Sequence, residues 1–112
     1  MAKNYVQPGK VVTLTAPYQR NSGEGALVGS IFGVALTTVA NAVDGEFAVE
    51  GVFELKKTSA QAWTQGALIY WDNTNKECTT TSTSNKLIGT ATKAAANPSS
   101  TGFVRLNGAF IS

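Results

Sequence analysis

The residues of this 112-residue chain whose type and spacing most invite a chemical reading are three carboxylates four residues apart, Glu46, Glu50 and Glu54, with Asp44 just ahead of them. A hard cation needs its oxygen ligands around one point, whereas four residues of extended chain span roughly 13 Å, so no single ion bridges them. A solvated strand face is the better reading. Cys78 is the only cysteine and histidine is absent, which excludes an internal disulfide, a multi-cysteine metal site and the commonest acid/base at neutral pH. The nearest cation to Cys78 is Lys76, and the segment 77–80 reads as strand, so a small buried thiol is expected rather than a nucleophile. Gly23-Glu24-Gly25 and the pair Gly29 and Gly33 lack both the Lys-Ser/Thr ending of a phosphate loop and the spacing of a dinucleotide fingerprint. No catalytic, cofactor-binding or metal-binding residue is assigned.

Two further groups have binding rather than catalytic chemistry. Trp63, Tyr70 and Trp71 form the densest aromatic set; they have the faces to stack on bases or sugars, but beside a strand start they read as core or oligomer-interface residues. The nine basic residues exceed the seven acidic ones by two and are thinly spread, Lys56-Lys57 being the only adjacent pair. A nucleic-acid surface needs clustering, so binding through Lys56, Lys57, Arg105 and the aromatics is a secondary reading.

The elements that must position these residues are strands. The segment 45–55 alternates: Phe47, Val49, Phe53 and Leu55 on one side, the glutamates on the other, the pattern of a half-buried strand. Segment 10–15 is β-branched and stops at Pro17; 18–25 is a loop. Segment 26–38 is apolar with two glycines and reads as a strand with a bend or bulge, and Asp44-Gly45 closes the turn that follows. Segments 66–72, 77–83, 85–96 and 103–110 give further extended stretches. Between Thr58 and Gly66, cap-like residues flank Ala and Gln, which predicts one short helix near 59–65. The chain is 43% hydrophobic, 14% charged and rich in Gly, Ser and Thr, which fits an all-β fold, a small β-barrel or β-sandwich-like domain. The expected organisation is a flexible N-terminal arm, 1–9, and a single β domain, 10–112.

Segments 27–30 and 87–90, and 47–53 and 104–110, echo one another, a pseudo-duplication of a unit too small to bury its own apolar face; the competing reading is chance likeness among β-sequences. No apolar run is long enough for a membrane-spanning helix, and Lys3 is not followed by the apolar stretch of a leader, so synthesis in the producing cell's cytosol is expected.

Taken together, 27–35 (LVGSIFGVA), 50–57 (EGVFELKK), 65–72 (QGALIYWD), Leu87-Ile88-Gly89 and 104–108 (VRLNG) resemble a family of small tailed-phage and prophage proteins that act as capsid cement, or head decoration, proteins; many members carry the older label of phage recombinase. Lys56 departs from the proline frequent in that family after the Glu-Leu step. An ATP-driven recombinase needs a phosphate loop and a larger domain, so the sequence sides with cement. The resemblance implies an all-β homotrimer without cofactor, bound to the major capsid protein on the outside of the head, in the virion of a phage grown in a bacterial host. Within it, Asn4, Tyr5 and Val6 are the candidate partner-binding residues: the arm reads either as a mobile terminus or as a segment ordered by adding an edge to a partner's sheet. The competing classes are a nucleic-acid-binding phage accessory protein and a carbohydrate-active enzyme, the latter without nameable catalytic groups.

Overall fold

The computed structural model describes residues 3–111, and they form nine strands and no helix: β1 (Val11–Thr15), β2 (Gly25–Val28), β3 (Ile31–Ala35), β4 (Asp44–Ala48), β5 (Glu50–Lys56), β6 (Leu68–Asp72), β7 (Glu77–Thr79), β8 (Lys86–Ala91) and β9 (Thr101–Asn107). They make two antiparallel sheets, β1-β4-β3-β2 and β5-β9-β8-β6-β7. The second sheet curls until the end of β5 meets β7 through one parallel bridge, Lys57 with Cys78.

Setting β7 aside as an insertion, the two sheets have the same strand order, first-fourth-third-second, which is a Greek-key arrangement. The duplication extends to single hydrogen bonds. Arg20 and Val39 exchange N–H and C=O at 2.9 Å, and Trp63 and Ala95 do the same at 2.9 and 3.0 Å. Gly23 N–H donates to Ala35 O at 2.7 Å, and Gly66 N–H to Ala91 O at 2.7 Å. Both of these glycines have φ of +88°, a left-handed conformation that only glycine adopts at little cost. Ala16 N–H reaches Val43 O, and Lys57 N–H reaches Ser100 O, each at 2.9 Å. The pairings align Ile31-Phe32-Gly33-Val34-Ala35 of β3 with Leu87-Ile88-Gly89-Thr90-Ala91 of β8. They also align Phe47 with Val104, as the echo of 47–53 in 104–110 predicts. The echo of 27–30 in 87–90 is displaced by four residues, because the counterpart of β8 is β3 and not the end of β2.

Four other expectations are corrected. Segment 45–55 is two strands, not one: the chain leaves the first sheet at Val49 and enters the second at Glu50, with Gly51 at φ +131°. Alternation persists through the crossing, which is why the break is invisible to pattern. Segment 26–38 is a hairpin, β2 and β3, turning at Gly29 (φ +60°), and Asp44-Gly45 lies inside β4 rather than in a turn. The helix near 59–65 is absent. Trp63 pairs in extended form with Ala95, the Gln61 side chain donates to Thr79 Oγ1 and accepts from Thr80 N–H, and the left-handed Gly66 closes a turn in which Ala67 N–H reaches Thr64 O. The glycine signal was real, but it marks the same turn as Gly23.

Each unit has its own core inside its curled sheet. In the first, Ala16, Ala26, Ala35, Val39 and Phe47 pack with Leu14 and Tyr18. In the second, the matching positions are Lys57, Ile69, Ala91, Ala95, Val104 and Leu55, and the large Trp63 lies over Gly102, where a Cβ would come within 2.3 Å of the indole. The units join where Phe32 meets Trp71, ring centroids 4.9 Å apart. Gly25 permits this contact, since a Cβ there would lie 2.6 Å from the Phe32 ring and 3.2 Å from Trp71. Asn73 Oδ1 seals the joint, accepting from Tyr18 Oη at 2.9 Å and Trp71 Nε1 at 3.0 Å, while Tyr18 Oη accepts the Leu27 N–H at 3.1 Å.

A Cβ at Gly89 would sit 2.1 Å from the carbonyl oxygen of Arg105, a backbone atom that no rotamer change can move. Gly89→Ala should therefore cost about 3 kcal/mol, the upper range for overpacking. Gly29→Ala, with open space around its Cβ and only a left-handed φ to bear, should cost about 1 kcal/mol. Urea denaturation of the two variants at unchanged m-value checks the ranking.

Candidate binding surface

The residues singled out by the sequence are dispersed by the fold. Trp63 and Trp71 are buried in the core and Tyr70 is half-buried beside them. Asn4, Tyr5 and Val6 are exposed, with Tyr5 at 66% and Val6 at 88% of full exposure and no strand around them. The carboxylates are each engaged locally: Glu46 accepts from Thr13 Oγ1, Glu54 from Thr101 Oγ1, Asp44 from Thr15 Oγ1, and Glu50 lies 3.8 Å from Lys10 Nζ. Glu46 and Asp44 belong to one sheet and Glu50 and Glu54 to the other.

The three cations considered for nucleic acid are not brought together either. Lys57 is 2% exposed and occupies the position of Ala16 in the first unit. Its ammonium donates to the carbonyls of Thr58 (2.9 Å), Ser99 (3.3 Å) and Ser59 (3.4 Å), and lies 5.8 Å from the Trp63 ring. Burial holds its pKa below the ordinary lysine value. Lys57 thus ties two loops across the mouth of the second unit and cannot reach a phosphate. Lys56 lies 3.9 Å from Glu77, and Arg105 stands on β9 opposite Val52. A polar cleft of about 420 Å³ runs along Thr58, Gln61, Asp72, Glu77 and Thr79, but both carboxylates are spoken for: Asp72 accepts from Thr74 and Asn75, which lowers its pKa, and Glu77 from Thr58.

What the fold does assemble is an apolar surface on the second unit. Register across β5, β9, β8 and β6 places Val52, Arg105, Thr90 and Leu68 in one row. The corresponding row of the first unit is Val11, Ala48, Val34 and Gly25. There the last three are buried, Gly25 directly against Trp71; in the second unit Val52 and Leu68 are each 53% exposed. The segment after β9 borders this face. Phe110, 82% exposed, lines a concavity of about 290 Å³ with Leu68, Leu87, Ile88 and Ile111, and a second of about 200 Å³ with Gly9, Val12, Ile31 and Val49. Neither is lined by a charged residue. Ile111 N–H donates to Ser30 O at 2.8 Å and fixes this segment to the β2–β3 turn. Sequence reasoning missed this surface, because Leu68 and Leu87 have the same pattern as core positions. Only the unit alignment, placing Leu68 at the position of Gly25, distinguishes them.

Cys78 is fully buried, and its thiol pKa is pushed up to about 12, by desolvation first and by the Glu77 charge second. An acid whose folded pKa lies above its unfolded one, near 9.0, gives stability that is complete below pH 9 and lost as pH rises toward 12, by up to about 4 kcal/mol. We expect alkaline destabilisation over that window, smaller in Cys78→Ala, and no reaction of the native thiol with a disulfide reagent at pH 8 until denaturant is added. Equilibrium unfolding against pH and thiol titration check both.

The sequence model of the phage cement protein family matches residues 6–106, which takes in β1 to β8, all but the last residue of β9, and so both units. No curated protein and no solved structure matches the chain at a significant level. A family match spanning nearly the whole chain agrees with a duplicated all-β body whose distinctive surface is apolar and holds no assembled set of reactive groups, and the chain belongs to the phage cement protein family.

Proposed function

We propose that the protein is a structural, non-enzymatic component of the virion that binds the major capsid protein on the outer surface of an assembled phage head and stabilises the shell, and that it does so as a homotrimer. The observation that carries this reading is the row Val52, Arg105, Thr90 and Leu68, in which Val52 and Leu68 are each 53% exposed, while three of its four equivalents in the first unit, Ala48, Val34 and Gly25, are buried inside the same chain. A β-face that is buried against the neighbouring unit in one copy and left open in the other is a surface built for a partner, and exposed apolar area of this kind marks protein–protein contact. Its centre holds Arg105 between Val52 and Thr90, and arginine is enriched in such contacts, where one cation fixes orientation against a carboxylate or carbonyl. Symmetric assembly removes further apolar area around Phe110 from water. The arm residues Asn4, Tyr5 and Val6 add backbone pairing at an edge of a partner's sheet. Cement action follows from bridging: a rigid body held by several shell subunits must be released from all of them before any two can part, so its contact energies oppose shell expansion together.

The reading is tested by incubating purified empty heads with the wild-type protein and with Leu68→Glu and Leu87→Glu. Both leucines are surface residues, so the variants should fold as wild type. Wild type should sediment with the heads and raise their temperature of disruption, and each charge should weaken binding at least tenfold, about 1.4 kcal/mol of lost contact. Wild-type failure to bind heads, or full binding by both variants, would overturn it.

A further inference from the structure

The unit that occurs twice in the fold also leaves a trace outside it. Where the fourth strand of the first unit runs into β5, the sequence is Phe47-Ala48-Val49-Glu50-Gly51; where β9 runs out of the second unit, it is Val104-Arg105-Leu106-Asn107-Gly108. The stretch before β1 has the same form, Tyr5-Val6-Gln7-Pro8-Gly9. An aromatic or β-branched residue is followed four positions later by glycine in each, and all three glycines have positive φ: +82° at Gly9, +131° at Gly51 and +77° at Gly108. After the glycine, Val52-Phe53 runs on along the first strand β5, Lys10-Val11-Val12 leads into β1 with one extra residue, and Ala109-Phe110-Ile111 continues the series. Segment 4–8 therefore has the sequence of a fourth strand, and 109–111 that of a first strand.

In both complete units the first strand pairs antiparallel with the fourth, and the register is constant: Val12 stands opposite Phe47, and Phe53 opposite Val104. The same register sets Phe110 opposite Tyr5. Within one chain this pair is not made. Gly9 and Phe110 line the same groove, yet Tyr5, Val6 and Phe110 are the three most exposed large apolar residues among those described.

We propose that segment 109–111 of one copy pairs antiparallel with segment 4–8 of a second copy, Phe110 opposite Tyr5 of the partner subunit, so that copies join head to tail through the strand pairing that holds each unit closed. The contact is heterologous, as ring closure into a cyclic oligomer requires. Pro8, which donates no hydrogen bond, is tolerated because the added strand is an edge. This assignment rests on the self-association included in the proposed function, and it names the segments that produce it.

Residues directly opposite on antiparallel strands have Cβ atoms near disulfide range, which allows a direct test. In a Cys78→Ala background, the protein with Tyr5→Cys and Phe110→Cys is oxidised without heads present, and its mass is read under denaturing and native conditions. We expect covalent closed oligomers from the double variant and at most dimers from either single variant, together with at least a tenfold weaker self-association of the Phe110→Asp protein. Circular dichroism checks that Phe110→Asp keeps the fold. Cross-links confined within single chains, cross-links to capsid protein alone, or an oligomer unchanged by Phe110→Asp would each overturn the assignment. An oligomer that persists without the 5–110 link leaves self-association standing and removes only this pairing, whereas a protein monomeric at all concentrations removes both.

Discussion

The surface this protein presents depends on one contact, Phe32 against Trp71 across the joint between its two units. Neither curled sheet can bury both of its faces alone. The first unit covers its outer β2–β3–β4 face by laying it on the second, and Gly25 exists to let Trp71 approach. Asn73, accepting from both Tyr18 and Trp71, locks the orientation with two hydrogen bonds to one oxygen. Because the joint is heterologous, using different faces of two similar units, it necessarily leaves one unit's version of the buried face uncovered. The exposed Leu68, at the position of the buried Gly25, is the consequence.

The units have diverged where the joint and the mouth of the second core demand it. The β6–β7 hairpin has no counterpart in the first unit and supplies Asn73. Ala16 is replaced by Lys57, whose ammonium ties three loop carbonyls, and the position of Arg20 is taken by the buried Trp63, which stands where Gly102 leaves room. Taking an ammonium from water is costly, and it is tolerated here because each of its donors finds an oxygen. The parallel Lys57–Cys78 bridge makes the second sheet the more nearly closed of the two.

Much of this was legible in the sequence and some was not, for identifiable reasons. Strand content, the burial of Cys78 and the kinship of 47–53 with 104–110 follow from alternation and composition. The break at Val49 was hidden because changing sheets does not interrupt a period of two. The helix near 59–65 was a misreading of Gly66, whose left-handed conformation serves a turn as well as a helix end. Lys57 looked like half of a basic pair because nothing local shows that its neighbours fold over it. The apolar face was illegible in principle: Leu68 differs from a core leucine only in having no partner, and that is a fact about the arrangement of units.

The proposed function requires the open face of the second unit to meet the shell, and a cryo-electron density map of empty heads saturated with the protein, at a resolution that places side chains, decides whether it does. It should show the protein outside the shell with Val52, Arg105, Thr90 and Leu68 against capsid protein and the Thr13–Glu46 face of the first unit turned to solvent. Density inside the head, or binding through the Thr13–Glu46 face of the first unit with the Val52–Leu68 row left in water, would contradict it.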